Sequence, residues 1–109
     1  MDKATFFKVK PKTEVVEIPD LGPVTVRGLS AGEYDRYEKS CAVSDEDGVS
    51  FVANRAMVVQ LGCVDPQFDD SDLMQLAALP SSVVSPIAAA IMRLSGATKE
   101  ASKEAEKNS

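Results

Sequence analysis

The sequence predicts an α+β fold, a single small domain in which an N-terminal β-hairpin packs against about four α-helices. Two β-branched runs, residues 14–18 (EVVEI) and 24–27 (VTVR), flank the turn Pro19-Asp20-Leu21-Gly22-Pro23. From Gly28 onward the apolar spacing changes from the period of two that suits a strand to the three-and-four spacing of a helix. The length of 109 residues, with 44% hydrophobic and 27% charged side chains, suits one core, because single domains cluster around ~100–150 residues.

Residues 1–13 are rich in lysine, and Phe7-Lys8-Val9-Lys10 alternates like a short strand before Pro11 interrupts it. In the hairpin, Val16 and Ile18 share one face, Val24 and Val26 share the matching face of the partner, and Glu17 and Arg27 point the other way. Ser30 and Glu33 form a capping box, each side chain satisfying an otherwise orphan backbone N–H, with Leu29 as the staple residue. The helix they start carries Tyr34, Tyr37 and Cys41 as its buried stripe and Glu33, Asp35, Arg36, Glu38 and Lys39 as its wet side. Residues 44–48 (SDEDG) form a solvated loop. A long, almost uninterrupted apolar run, residues 50–64, is expected as the central helix, with Val52, Ala56, Val59 and Cys63 on one face and Gly62 and Pro66 ending it. Asp69, Asp70, Ser71 and Asp72 supply N-cap acceptors for a short helix with Leu73, Leu76 and Ala77 inward, stopped before Pro80. Ser81 or Ser82 caps a last helix with the apolar band Val83, Val84, Ile87, Ile91 and Leu94, a local distortion at Pro86, and Gly96 at its end. Residues 97–109 carry three lysines, three glutamates and alanines that bury little, so a flexible polar tail follows the domain of residues 1–96.

A net charge of −5 argues against general binding to phosphate backbones or anionic lipid, so neither nucleic acid nor membrane is expected as a partner. The start lacks the apolar stretch of a secretory signal, and Cys41 and Cys63 lie among apolar helical positions, which suits reduced, buried thiols; the cytoplasm is the expected compartment. Without histidine, Ser-His-Asp and Cys-His chemistry are excluded, and no phosphate-cradling glycine loop occurs. Asp45-x-Asp47-Gly48 has the spacing of the middle of a calcium loop, but Val43 and Asn54 fall where its outer ligands belong. The carboxylates Asp65, Asp69, Asp70 and Asp72 are explained by capping and solubility. No catalytic residue, metal or cofactor is expected.

The order of features is distinctive: Glu14-Val15-Val16-Glu17-Ile18-Pro19-Asp20-Leu21-Gly22, Val24-x-Val26-Arg27-Gly28-Leu29-Ser30, an amphipathic helix, and a second helix ending Gly62-Cys63-Val64-Asp65. Then come Phe68-x-x-x-Asp72-x-x-x-Leu76-x-x-Leu79-Pro80 and Ile87-x-x-x-Ile91-x-x-Leu94-Ser95-Gly96. Over roughly residues 5–96 this order resembles the tail assembly chaperones of long-tailed bacteriophages and prophages. The resemblance implies a non-enzymatic protein of the host cytoplasm that coats or solubilises the helical tape measure protein, helps bring tail tube subunits to it, self-associates weakly, and is absent from the finished virion. It also implies that a programmed frameshift near the polar terminus can append a further domain. The candidate partner-binding residues are Val84, Ile87 and Ile91 of the last helix, together with Tyr34 and Tyr37; packing in the core is the competing reading for each. Two other functions stay open, a head–tail connector or tail terminator of the virion, and an acidic inhibitor acting by charge mimicry.

Overall fold

A computed structural model describes residues 1–45, 48–51 and 54–96 of the protein. In chain order its elements are α1 (Lys3–Phe6), β1 (Thr13–Ile18), β2 (Gly22–Arg27), α2 (Ala31–Cys41), β3 (Ala42–Asp45), β4 (Gly48–Phe51), α3 (Arg55–Gly62), β5 (Cys63–Asp65), α4 (Leu73–Ala77) and α5 (Ser81–Leu94). A single 3-10 turn, Asp70–Asp72, leads into α4. The fold is α+β, as the residue pattern predicts. Five helical segments stand among the described residues, one of them the four-residue α1. The expected tail, residues 97–109, lies outside the described residues.

Alternating β-branched residues build an antiparallel hairpin in which Thr13 faces Arg27 and Ile18 faces Gly22. Its turn uses Asp20 at φ 66°, a left-handed conformation that aspartate tolerates better than most residues. β5 adds antiparallel to the free edge of β2, so β2 is the central strand and its Val24 and Val26 are buried. The inward face of this sheet receives α3 and α5, and the core they enclose includes Ile18, Val26, Val58, Val59, Leu76, Val84 and Ile91. Burial of these side chains is the main stabilising term, at about 25 cal/mol per Å² of apolar surface removed from water.

Close approach between α3 and α5 depends on Gly62. A Cβ there would lie 2.5 Å from Ile91 Cγ2, well inside van der Waals contact. At the far end of α5, the Ser95 hydroxyl accepts from the Leu29 amide at 2.8 Å and donates to the Ile91 carbonyl at 2.7 Å. A Cβ on Gly28 would sit 2.7 Å from the Leu94 carbonyl oxygen, so this junction between β2 and α5 is also tight. The Ser30–Glu33 capping box opens α2 as expected. Glu33 does not face open water, however: its carboxylate takes a bidentate grip from Arg27 at 2.7 Å, and Arg27 also donates to the Leu61 carbonyl at 3.1 Å. One guanidinium thus ties β2 to α2 and α3.

The structure corrects several expectations. The central helix does not span residues 50–64: Asn54 accepts from the Met57 amide and starts α3 at Arg55, while Gly48–Phe51 pairs with Ala42–Asp45 as a second, two-stranded sheet. Val52 lies outside the described residues. Cys63, expected at the end of that helix, opens β5 instead, and the helix does end at Gly62. The expected loop 44–48 is largely strand, with Glu46 and Asp47 outside the described residues. Phe7 to Lys10 form no strand; Asp2 caps the short α1 by accepting from the Thr5 amide at 2.6 Å. α5 starts at Ser81 and runs through Pro86, but its N-cap is Pro80, and Ser81 spends its hydroxyl on Ser85.

Candidate functional site

The apolar residues left over at the closed end of the hairpin do not meet one another completely. Leu21, Pro23 and Val24 come from the turn and β2, Val59 from α3, Leu76 and Leu79 from α4 and its exit, and Val83, Val84 and Ile87 from the first turns of α5. With Pro66 and Phe68 they line a groove of about 240 Å³. Its floor is core: Val24, Val59, Leu76, Val84 and Ile87 are all buried. Its rim is open, because Leu21 is 64% and Leu79 45% exposed. The chain sequence explains the opening. Leu21 sits in a turn flanked by Pro19 and Pro23, and Leu79 lies in the short link between the end of α4 at Ala77 and Pro80, the N-cap of α5, so neither rim leucine belongs to a packed helix or strand.

A second depression, between α2, α3 and the 69–72 turn, is polar and internally neutralised. Arg27 holds Glu33, whose carboxyl drops to about 2 chiefly because of that hydrogen-bonded pairing. Arg36 pairs with Asp70 at 2.6 Å, and Gln60 Nε2 donates to the same oxygen at 2.5 Å; these bonds lower the Asp70 carboxyl. Gln60 Oε1 is buried without a partner. Asp69 and Asp72 cap the 3-10 turn through the Ser71 and Asp69 amides. The carboxylates of this region are therefore occupied in capping and pairing. Among the described residues no group of three or more histidine, cysteine or acidic side chains is arranged to hold a metal.

The candidate residues separate. Val84 and Ile87, each 5% exposed, form part of the groove floor, where a partner side chain would touch them. Ile91 is 0% exposed beneath Gly62 and belongs to the core alone, so it offers no surface for binding. Tyr34 and Tyr37 are half-buried on α2, with ring centroids 6.0 Å apart and edge to face, and neither lines the groove. Burial and a hydrogen bond with Cys41 push the Tyr37 hydroxyl up to about 12. Cys41 and Cys63 are free and buried. Leu21, Phe68 and Leu79 enter the residue pattern as positions in the motif order and not as binding candidates; a leucine inside a Pro/Gly turn and another directly before a proline are the signals that point to two of them. Comparison with protein-family models, with curated proteins and with solved structures finds no match.

Proposed function

We propose that the chain is a non-enzymatic chaperone of phage tail assembly, which holds exposed apolar helical segments of the tape measure protein in the groove between α4, α5 and the hairpin turn. The open apolar groove is the observation that carries this reading, together with the motif order over residues 14–96. At about 240 Å³ it falls below the ~300–1,000 Å³ of small-molecule sites, and it suits one or two aliphatic side chains spaced three or four residues apart on a helix. Two such side chains contribute roughly 3–6 kcal/mol before ordering costs, which leaves weak, reversible binding. Weak binding at repeated sites is what a holding protein needs: many copies keep a long helical partner in solution, and tail tube subunits displace them by competing for the same stripes. On this reading the protein acts in the host cytoplasm and is left out of the virion.

Co-expression with the long, helix-rich protein encoded downstream tests the proposal. The partner is expected to become soluble and to co-purify with the wild-type chain, and the Leu21→Lys/Leu79→Lys variant is expected to lose both effects. A partner that stays insoluble and unbound overturns the reading, as does recovery of this chain in purified virions.

A further inference from the structure

The first twelve residues contrast with everything behind them. All are exposed, with Phe6 at 61%, Phe7 at 74% and Val9 at 81%, and the two rings touch only edge to face, 5.5 Å between centroids. Four lysines and one aspartate give this arm a net charge of +3, whereas residues 13–96 hold five basic and thirteen acidic side chains, a net of −8. The positive charges of the body are largely spent, since Arg27, Arg36 and Arg93 are paired with Glu33, Asp70 and Glu14. An aromatic, basic arm calls for an apolar hollow on an acidic surface, and the groove is such a hollow: Asp20, Asp65 and Asp69 adjoin its lining residues Leu21, Pro66 and Phe68 in the chain.

We infer that the arm of one copy seats its phenylalanine pair in the groove of a second copy. The arm leaves the body at Thr13, opposite Arg27 at the open end of the hairpin, and the groove lies at the closed end beyond Ile18. The arm therefore joins the body at the end of the hairpin opposite the groove, and Phe6 and Phe7, both exposed and absent from the groove lining, do not fill their own groove. Joining the arm of one copy to the groove of the next is a head-to-tail contact, which leaves a free arm and a free groove at the ends and allows further addition. Its small area places it among weak interfaces, and the opposed charges make it sensitive to salt. The arm and the groove make this contact by themselves, whatever other partner the groove takes.

Sedimentation equilibrium of the full chain over a wide concentration range tests it. The average mass of the wild type should rise with concentration and fall back when salt is raised. The Phe6→Ser/Phe7→Ser variant, whose altered positions lie outside the core, should melt like the wild type and associate at least about tenfold more weakly. Leu21→Lys/Leu79→Lys should weaken association equally, and an equimolar mixture of the two variants should form a one-to-one dimer, since each supplies the half that the other lacks. A photoreactive phenylalanine at position 6, in mixed isotopically light and heavy copies, should cross-link between copies to the groove rim; this readout needs no groove variant to fold. A wild type that stays monomeric, cross-links confined to one copy, or association that survives loss of both phenylalanines overturns the inference.

Discussion

Gly62→Ala measures how closely α3 and α5 meet. The added methyl would lie 2.5 Å from Ile91 Cγ2, 2.7 Å from Cδ1 and 2.8 Å from Cγ1, each roughly 1 Å inside an ordinary carbon contact. Ile91 is 0% exposed, so it has no space to swing into. Overpacking of this kind costs about 1–3 kcal/mol. Replacing glycine by alanine at a helical position works in the opposite direction by about 0.5–1 kcal/mol. The clash outweighs the gain, and the expected net loss of about 1–2 kcal/mol lowers the melting temperature of a domain this size by roughly 5–15 °C. Urea unfolding followed by circular dichroism gives the free energy. Ile91→Ala alone should cost about 2–5 kcal/mol through its cavity, and in the double variant the alanine methyl enters that cavity, so the combined loss falls short of the sum by about 1 kcal/mol or more. A Gly62→Ala protein as stable as the wild type, or strict additivity in the double variant, would refute the packing described for this pair.

Three further outcomes are expected. The Glu33 carboxyl is held near 2, below its ordinary 4.5, so its pairing with Arg27 contributes stability above pH 4.5 that is lost as pH falls toward 2. Glu33→Gln should therefore cost about 1–2 kcal/mol near neutrality and converge with the wild type in acid, as read from urea midpoints across that range; a constant difference would contradict the pairing. Ser95→Ala leaves the Leu29 amide without its acceptor, and a loss of about 1–2 kcal/mol with faster hydrogen exchange at that amide is expected. Burial pushes the Cys63 thiol up to about 11, so alkylation at neutral pH should be slow in the folded protein and fast in denaturant; equal rates in both would place the thiol at the surface.

Elements whose side chains keep a strand or helix rhythm over a full turn or more are legible in the residue pattern. The hairpin of β1 and β2, the capped start of α2 and the apolar band of α5 are of this kind. A single central helix overreaches because the run from Phe51 to Val64 is apolar by composition, and composition does not distinguish a helix from strands on either side of it. Asn54 is the deciding residue: a good N-cap in mid-run marks where the backbone changes conformation. β5 is three residues long, too short to show alternation, and only its pairing with β2 defines it. The candidate site is half legible. Val84 and Ile87 follow from the amphipathic pattern of α5, whereas the rim leucines lie in breaks between elements, where periodicity has nothing to say.

The Ser95 bridge to Leu29 determines where the last described residues leave the body. Gly96 leaves α5 beside Gly28, at the same end of the body where Thr13 receives the chain from the arm. From Ile87 to its last residue, Leu94, the helix climbs about 10 Å away from the groove, at 1.5 Å per residue. The described chain thus enters and leaves its body at one end, and the groove lies at the opposite end of the hairpin and of α5.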